Sequence, residues 1–189
     1  SPHAHARIVG IDTDKARKLP GVVKIYTGKD LEGKIGLIPT AWLPPESDIK
    51  TTAHHPLAVD KVRYVGDGVA MVIAEDRYTT RDALDLIDVT YESLPAVVDQ
   101  EAAMQEGAPV LFEEAPDNVA FHWQAGSAPD ELFSQAEVVV RHRFRQQRLI
   151  PNPMETRATV AQYNPGTGEM TIWMTSQNPH IHRLLLSGI

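Results

Sequence analysis

The sequence predicts a mixed α/β (α+β) fold, and three observations carry that expectation. β-rich apolar runs recur at Ala6–Ile11, Val22–Tyr26, Val62–Val65 and Val69–Ala74. A helix-period segment of about ten residues separates the last of these from a further run at Asp88–Tyr91. Towards the end of the chain, Ala158–Tyr163 and Met170–Thr175 flank Asn164-Pro165-Gly166-Thr167-Gly168, a turn-forming string that reads as a hairpin.

The elements follow in order. After the first strand, Asp12 or Thr13 can cap a short helix through Leu19, which Pro20-Gly21 ends. Beyond Val22–Tyr26, Glu32-Gly33 opens a loop running to about Pro56, where Pro44-Pro45 forbids helix and central strand. Gly66-Asp67-Gly68 separates the third and fourth runs. The helix after Glu75-Asp76 can be capped by Thr79 or Thr80, with Ala83, Leu84 and Ile87 as its buried face. Two strands joined by such a helix suggest one small mixed layer, closed by Leu94-Pro95.

From Asp99 to about Pro129 the pattern dissolves into Pro, Gly, Glu and Ala, the composition of a connection crossing a surface. Alternation resumes at Ala136–Arg148, with Val138, Val140, His142, Phe144 and Gln146 on one face of an expected strand. Asn178 then caps a last helix, and Pro179 sits at its first position, where a missing N–H costs nothing. The expected organisation is a first domain over 1–100, a linker over 101–135 and a second region over 136–189.

Composition excludes several functions. The 189 residues carry a net charge of −7 and no basic stripe, which argues against nucleic-acid binding. No apolar run is long enough to span a bilayer, and no signal-peptide pattern opens the sequence. With no cysteine there is no disulfide, thiolate zinc site or iron–sulfur cluster on these residues, which fits a reducing cytosol.

Residue constellations add no chemistry by themselves. The pairs His3 and His5, His54 and His55, and His180 and His182 lack companion ligands at a recognised spacing, so no metal site is expected. Glu113-Glu114 and Asp130-Glu131 read as solvated charges rather than acid/base pairs. Gly66-Asp67-Gly68 is too short for a phosphate-binding fingerprint, and no nucleophile elbow is present.

Whole phrases do carry a resemblance. Ser1–Ile8 (SPHAHARI), Leu19–Val23 (LPGVV), Tyr26–Leu31 (YTGKDL), His55–Val65 (HPLAVDKVRYV), Val69–Tyr78 (VAMVIAEDRY), Ala83–Tyr91 (ALDLIDVTY) and Leu94–Asp99 (LPAVVD) resemble the opening of molybdenum hydroxylase large subunits of the xanthine oxidase family. Phe144–Ala158 (FRQQRLIPNPMETRA), Gly168–Trp173 (GEMTIW) and Ser176–His180 (SQNPH) resemble the start of that family's molybdopterin-binding region. The wording is nearest to the aerobic carbon monoxide dehydrogenase-like and aldehyde dehydrogenase-like branch.

The resemblance implies an α/β hammerhead domain followed by the first strands and helix of a molybdopterin-binding domain. It implies oxidative hydroxylation of an aldehyde, a heterocycle or carbon monoxide in the intact subunit, with FAD and iron–sulfur clusters on partner subunits. Gln177 matches the family's glutamine that contacts an oxo ligand of molybdenum, and it is the one candidate catalytic and cofactor-binding residue. The family's glycine-rich loop has no counterpart, since the sequence contains no Gly-Gly dipeptide, and none of its 25 acidic residues takes the role of the family's late glutamate base. The chain is therefore expected to be an N-terminal fragment, inactive alone, that binds no cofactor alone, associates with itself and is completed by the rest of the large subunit. The alternative is a naturally short scaffold subunit that assembles with a separate catalytic chain.

Overall fold

Strand β1 (Ala6–Asp12) forms because Ala6 and Ile8 can face a core while Arg7 faces water, the period of a half-buried strand. A computed structural model describes residues 1–40, 45–126, 129–147, 149 and 152–188. Pro44 of the Pro44-Pro45 pair and Arg148 at the end of the strand expected over Ala136–Arg148 lie outside the described residues. The chain divides into a unit over Ser1–Trp123 and a second over Gln124–Ser187.

In the first unit β1 is followed by α1 (Asp14–Arg17), β2 (Val22–Thr27), α2 (Gly28–Leu31), β3 (Lys61–Val62), β4 (Ala70–Ala74), α3 (Arg77–Asp85), β5 (Asp88–Ser93) and α4 (Gln100–Ala103). These make two antiparallel sheets, β3-β1-β5 and β2-β4. The expected single layer is thus corrected: α3 leaves one sheet at β4 and enters the other at β5. Two small cores result. Ala6, Ala58 and Val62 form one, with Ile8, Val69 and Tyr91 against it; Ala16, Ile25 and Ala83 form the other, with Leu19, Val22, Val72 and Ile87.

Local chemistry revises three further expectations. The third β-run ends at Val62 because the Asp67 carboxylate accepts the Arg63 N–H and Gly66 takes φ +93°, turning the chain. Asp76, not Thr79 or Thr80, caps α3; its Oδ1 accepts the amides of Tyr78 and Thr79 at 2.8 and 3.0 Å. The first helix ends at Arg17, and it is Asp12 Oδ1 that accepts the Asp14 N–H at 2.9 Å.

The segment after β5 keeps to the first unit as far as Trp123. The Lys50 N–H donates to Ala120 O at 2.8 Å, Lys61 pairs with Glu113, and the Arg63 guanidinium donates to Leu111 O and lies 4.6 Å from the Phe112 ring centroid. Glu113, read from sequence as merely solvated, is an ion-pair partner.

Several carboxyls sit below their usual range. Hydrogen bonds from the Thr79 hydroxyl and amide, then the Tyr78 amide, lower Asp76. The Thr27 amide and hydroxyl lower Asp30, and Lys61 lowers Glu113. Groups depressed in the fold add stability above the unfolded carboxylate range and lose it as the pH falls through the folded values. The melting temperature of the first unit is therefore expected to hold from neutral pH to about pH 4 and fall below it. Asp76→Ala should lower the plateau and shrink the acid drop. Melts followed by circular dichroism check both; a wild-type melting temperature equal at pH 7 and pH 3 would contradict the assignment.

The second unit contains α5 (Asp130–Gln135), β6 (Thr159–Asn164), β7 (Glu169–Met174) and α6 (Pro179–Leu186). The expected hairpin is present in full register, Thr159↔Met174 to Asn164↔Glu169. Its turn is held by Asn164, whose side chain accepts the Gly166 N–H at 2.9 Å and whose carbonyl accepts the Gly168 N–H at 2.8 Å. The expected strand from Ala136 is not formed among the described residues; Val138, Val140 and Phe144 stand 78%, 84% and 87% exposed. An alternating sequence becomes a strand only when another strand takes its hydrogen bonds, and no described segment of this unit does so.

Candidate functional site

Four residues, Thr175 to Asn178, join β7 to α6, and both ends of this corner are anchored. Thr175 N donates to Ala158 O at 3.3 Å, and its hydroxyl lies 3.3 Å from Glu155 Oε1 and 3.4 Å from Thr156 O. On the helix side Ser176 Oγ accepts the Asn178 N–H at 3.1 Å and lies 2.7 Å from His182 Nδ1, while the His182 N–H donates to Asn178 O at 3.0 Å. Pro179 at the first helical position fixes φ there. Asn178 stands at the expected cap position without a side-chain capping bond, a correction; the Ser176 hydroxyl takes the amide at this turn instead.

Gln177 occupies the bend of this corner with an exposed side chain. An amide there offers two N–H donors and one carbonyl acceptor, carries no charge, and makes no side-chain hydrogen bond among the described residues.

The histidines have structural neighbours. His5 is buried, with Nδ1 2.9 Å from Pro95 O and Nε2 buried without a partner among the described residues. The His3 ring packs at 4.8 Å on Tyr91, and the His54 ring stands edge-on to Tyr64. Among the described residues no three His, Asp or Glu side chains converge as a metal site would require. Sequence reading missed the pair of Asp48 and His122, whose Oδ2 and Nδ1 are 2.9 Å apart; a contact between residues so distant in sequence leaves no local signal. Hydrogen bonds from His122 hold the Asp48 carboxyl below its usual range. A cavity of about 60 Å³ beside His54 and Tyr64 is lined by Lys61, Arg63 and Asp67. With Glu113 on Lys61 and Arg63, its charges cancel rather than gather an anion.

Residues 1–95 match the aldehyde oxidase and xanthine dehydrogenase a/b hammerhead domain, and residues 111–189 match the molybdopterin cofactor-binding domain. The chain belongs to the aldehyde oxidase and xanthine dehydrogenase family, and its fold is that hammerhead domain followed by the start of a molybdopterin-binding domain.

Among its relatives, the carbon monoxide dehydrogenase large chain of Afipia carboxidovorans is 39% identical over 99% of this chain and 24% of its own length. The nicotine 6-hydroxylase large subunit of Paenarthrobacter nicotinovorans is 38% identical over 99% of this chain and 23% of its own. The crystal structure of quinoline 2-oxidoreductase from Pseudomonas putida 86 superposes with a TM-score of 0.83 at 37% identity, over 99% of this chain and 24% of that one. The chain thus spans about a quarter of the length of these relatives. No helix among the described residues is long and apolar enough to cross a membrane.

The molybdenum cofactor such a domain implies can be tested against the residues present. Gln177 fits as a single contact: neutral, exposed, and carried on a corner tied at both ends.

Proposed function

We propose that this chain serves as the front segment of the molybdopterin-binding large subunit of a molybdenum hydroxylase. The match of residues 111–189 to a cofactor-binding domain, directly after a hammerhead match over 1–95, is the observation that supports it. The reaction proposed is oxidative hydroxylation, in which a substrate C–H and water give C–OH, two electrons and two protons; with carbon monoxide the product is carbon dioxide. When bound, the cofactor supplies the two-electron redox chemistry.

This chain's residues bind and orient. Gln177 is proposed to donate from Nε2 to an oxo ligand of the molybdenum, as a fixed dipole that needs no reorganisation during reaction. The 189 residues contain no cysteine, so any thiolate-bound iron–sulfur cluster that carries electrons onward is held outside these residues. Relatives are named as chains or subunits of larger enzymes, which supports partner subunits here; we propose that these carry flavin and iron–sulfur clusters and that the enzyme works in the cytoplasm.

The test is the source of oxygen. The purified enzyme that contains this chain, assayed on aldehydes, aromatic N-heterocycles and carbon monoxide with an artificial electron acceptor, is expected to label product from ¹⁸O-water. Label arriving from ¹⁸O₂ instead would overturn the reading. The isolated chain is proposed to self-associate through the second unit, whose Val138, Val140, Phe144 and Leu184 are exposed. Sedimentation of a purely monomeric species would count against that.

A further inference from the structure

We infer that Ser176 and His182 are positioning residues, a hydrogen-bonded brace that sets the direction of the Gln177 side chain; the inference rests on the proposed role of Gln177.

The geometry carries it. Gln177 lies between two residues that are each tied to the first turn of α6. The Ser176 hydroxyl has one hydrogen to give, and its oxygen already accepts the Asn178 N–H at 3.1 Å. The same oxygen lies 2.7 Å from His182 Nδ1, a second hydrogen bond in which the hydroxyl donates to one imidazole tautomer and accepts from the other. Either way the imidazole is tied to the residue before Gln177. The ring closes through the backbone, because the His182 N–H donates to Asn178 O at 3.0 Å. Asn178 is thereby held at both its N–H and its C=O, and Pro179 stiffens the next peptide.

Without the brace the bend at Gln177 would keep Thr175 on the strand side and, on the helix side, only the His182 N–H on Asn178 O and Pro179. The Gln177 side chain is exposed and makes no side-chain hydrogen bond among the described residues. Its aim is therefore inherited from the backbone, and the backbone's aim from this ring. His182 is tied to the neighbour of Gln177, not to Gln177 itself. It acts through Ser176.

The experiment compares variants in the assembled enzyme. His182→Phe and Ser176→Ala are each expected to lower kcat about ten- to a hundredfold with KM nearly unchanged, the loss that misplacing a reacting-site group brings. His182→Asn, whose amide can stand where Nδ1 stood and accept from or donate to the same hydroxyl, should recover most of the rate. In a Gln177→Ala background neither His182→Phe nor Ser176→Ala should slow turnover further.

A second readout needs no turnover: the Asn178 amide should exchange with deuterium about tenfold faster in His182→Phe than in wild type, and His182→Asn should restore its protection. A wild-type kcat in His182→Phe, equal losses with and without Gln177, or unchanged exchange at Asn178 each overturns the brace while leaving the role of Gln177 standing. A wild-type rate in Gln177→Ala itself, at full molybdenum content, overturns that role and the brace with it.

Discussion

Gln177→Ala in the assembled enzyme is expected to turn substrate over about 10²–10³-fold more slowly while molybdenum content and melting temperature stay at the wild-type level. The size follows from what a preorganised donor does. It stabilises charge that develops during reaction, and water entering in its place must reorganise first. Retention of the cofactor follows from the geometry: one exposed amide on a bend is a contact and not part of a cage. Retention of stability follows from exposure, since the side chain is neither buried nor hydrogen-bonded among the described residues, and such surface changes stay within about 0.5 kcal/mol.

Two controls sharpen the result. Glu114→Ala, distant from the corner in sequence, should change neither rate nor content. Asn178→Ala should cost little stability, because the side chain makes no capping bond. If Gln177→Ala enzyme with full molybdenum content works at the wild-type rate, the residue assignment is wrong.

Gly28→Ala is expected to destabilise the first unit by at least about 3 kcal/mol. A Cβ at this position would lie 2.2 Å from Ala58 O, 2.7 Å from Ala58 C and 2.9 Å from Leu57 O. All three are backbone atoms, so no side chain can rotate aside. The Ala58 backbone cannot retreat freely either, since its N–H donates to Gly68 O at 2.7 Å and its side chain is in the core of Ala6 and Val62. Gly33→Ala is the instructive comparison. Gly33 has φ +72° and open space around it, so the cost there is backbone strain alone, about 1 kcal/mol. Urea melts of the two variants should therefore differ clearly, and equal midpoints would refute the close approach.

Gly28 also marks what the sequence could not reveal. Elements defined by their own neighbours were legible: β1, β2, the hairpin with its Asn164 turn, and the helix over 77–85. Features defined by distant partners were not. Nothing local tells that β4 pairs with β2 while β5 pairs with β1, that Gly28 faces Ala58, or that Asp48 meets His122. At 136–147 the local signal was present and the strand was not, because pairing needs a second segment. The candidate site was legible only through resemblance. Gln177 is one polar residue beside a helix start, and its residue type and spacing alone would not have singled it out.

The alternation of the first unit between its two sheets has a consequence for how the protein is made. In sequence order, β1, β3 and β5 go to one sheet and β2 and β4 to the other, so no two consecutive strands pair. Ala6 finds its neighbours at Val62 and Ser93, and Val22 finds its neighbour at Ala74. On the ribosome, β1 and β2 therefore emerge as open edges and stay so until most of this unit has been synthesised, several seconds at about 5–20 residues per second. The β6–β7 hairpin, with its partners adjacent in sequence, can close within about 1–10 μs of emerging. Nascent chains arrested between β2 and β4 are the species that most need a chaperone.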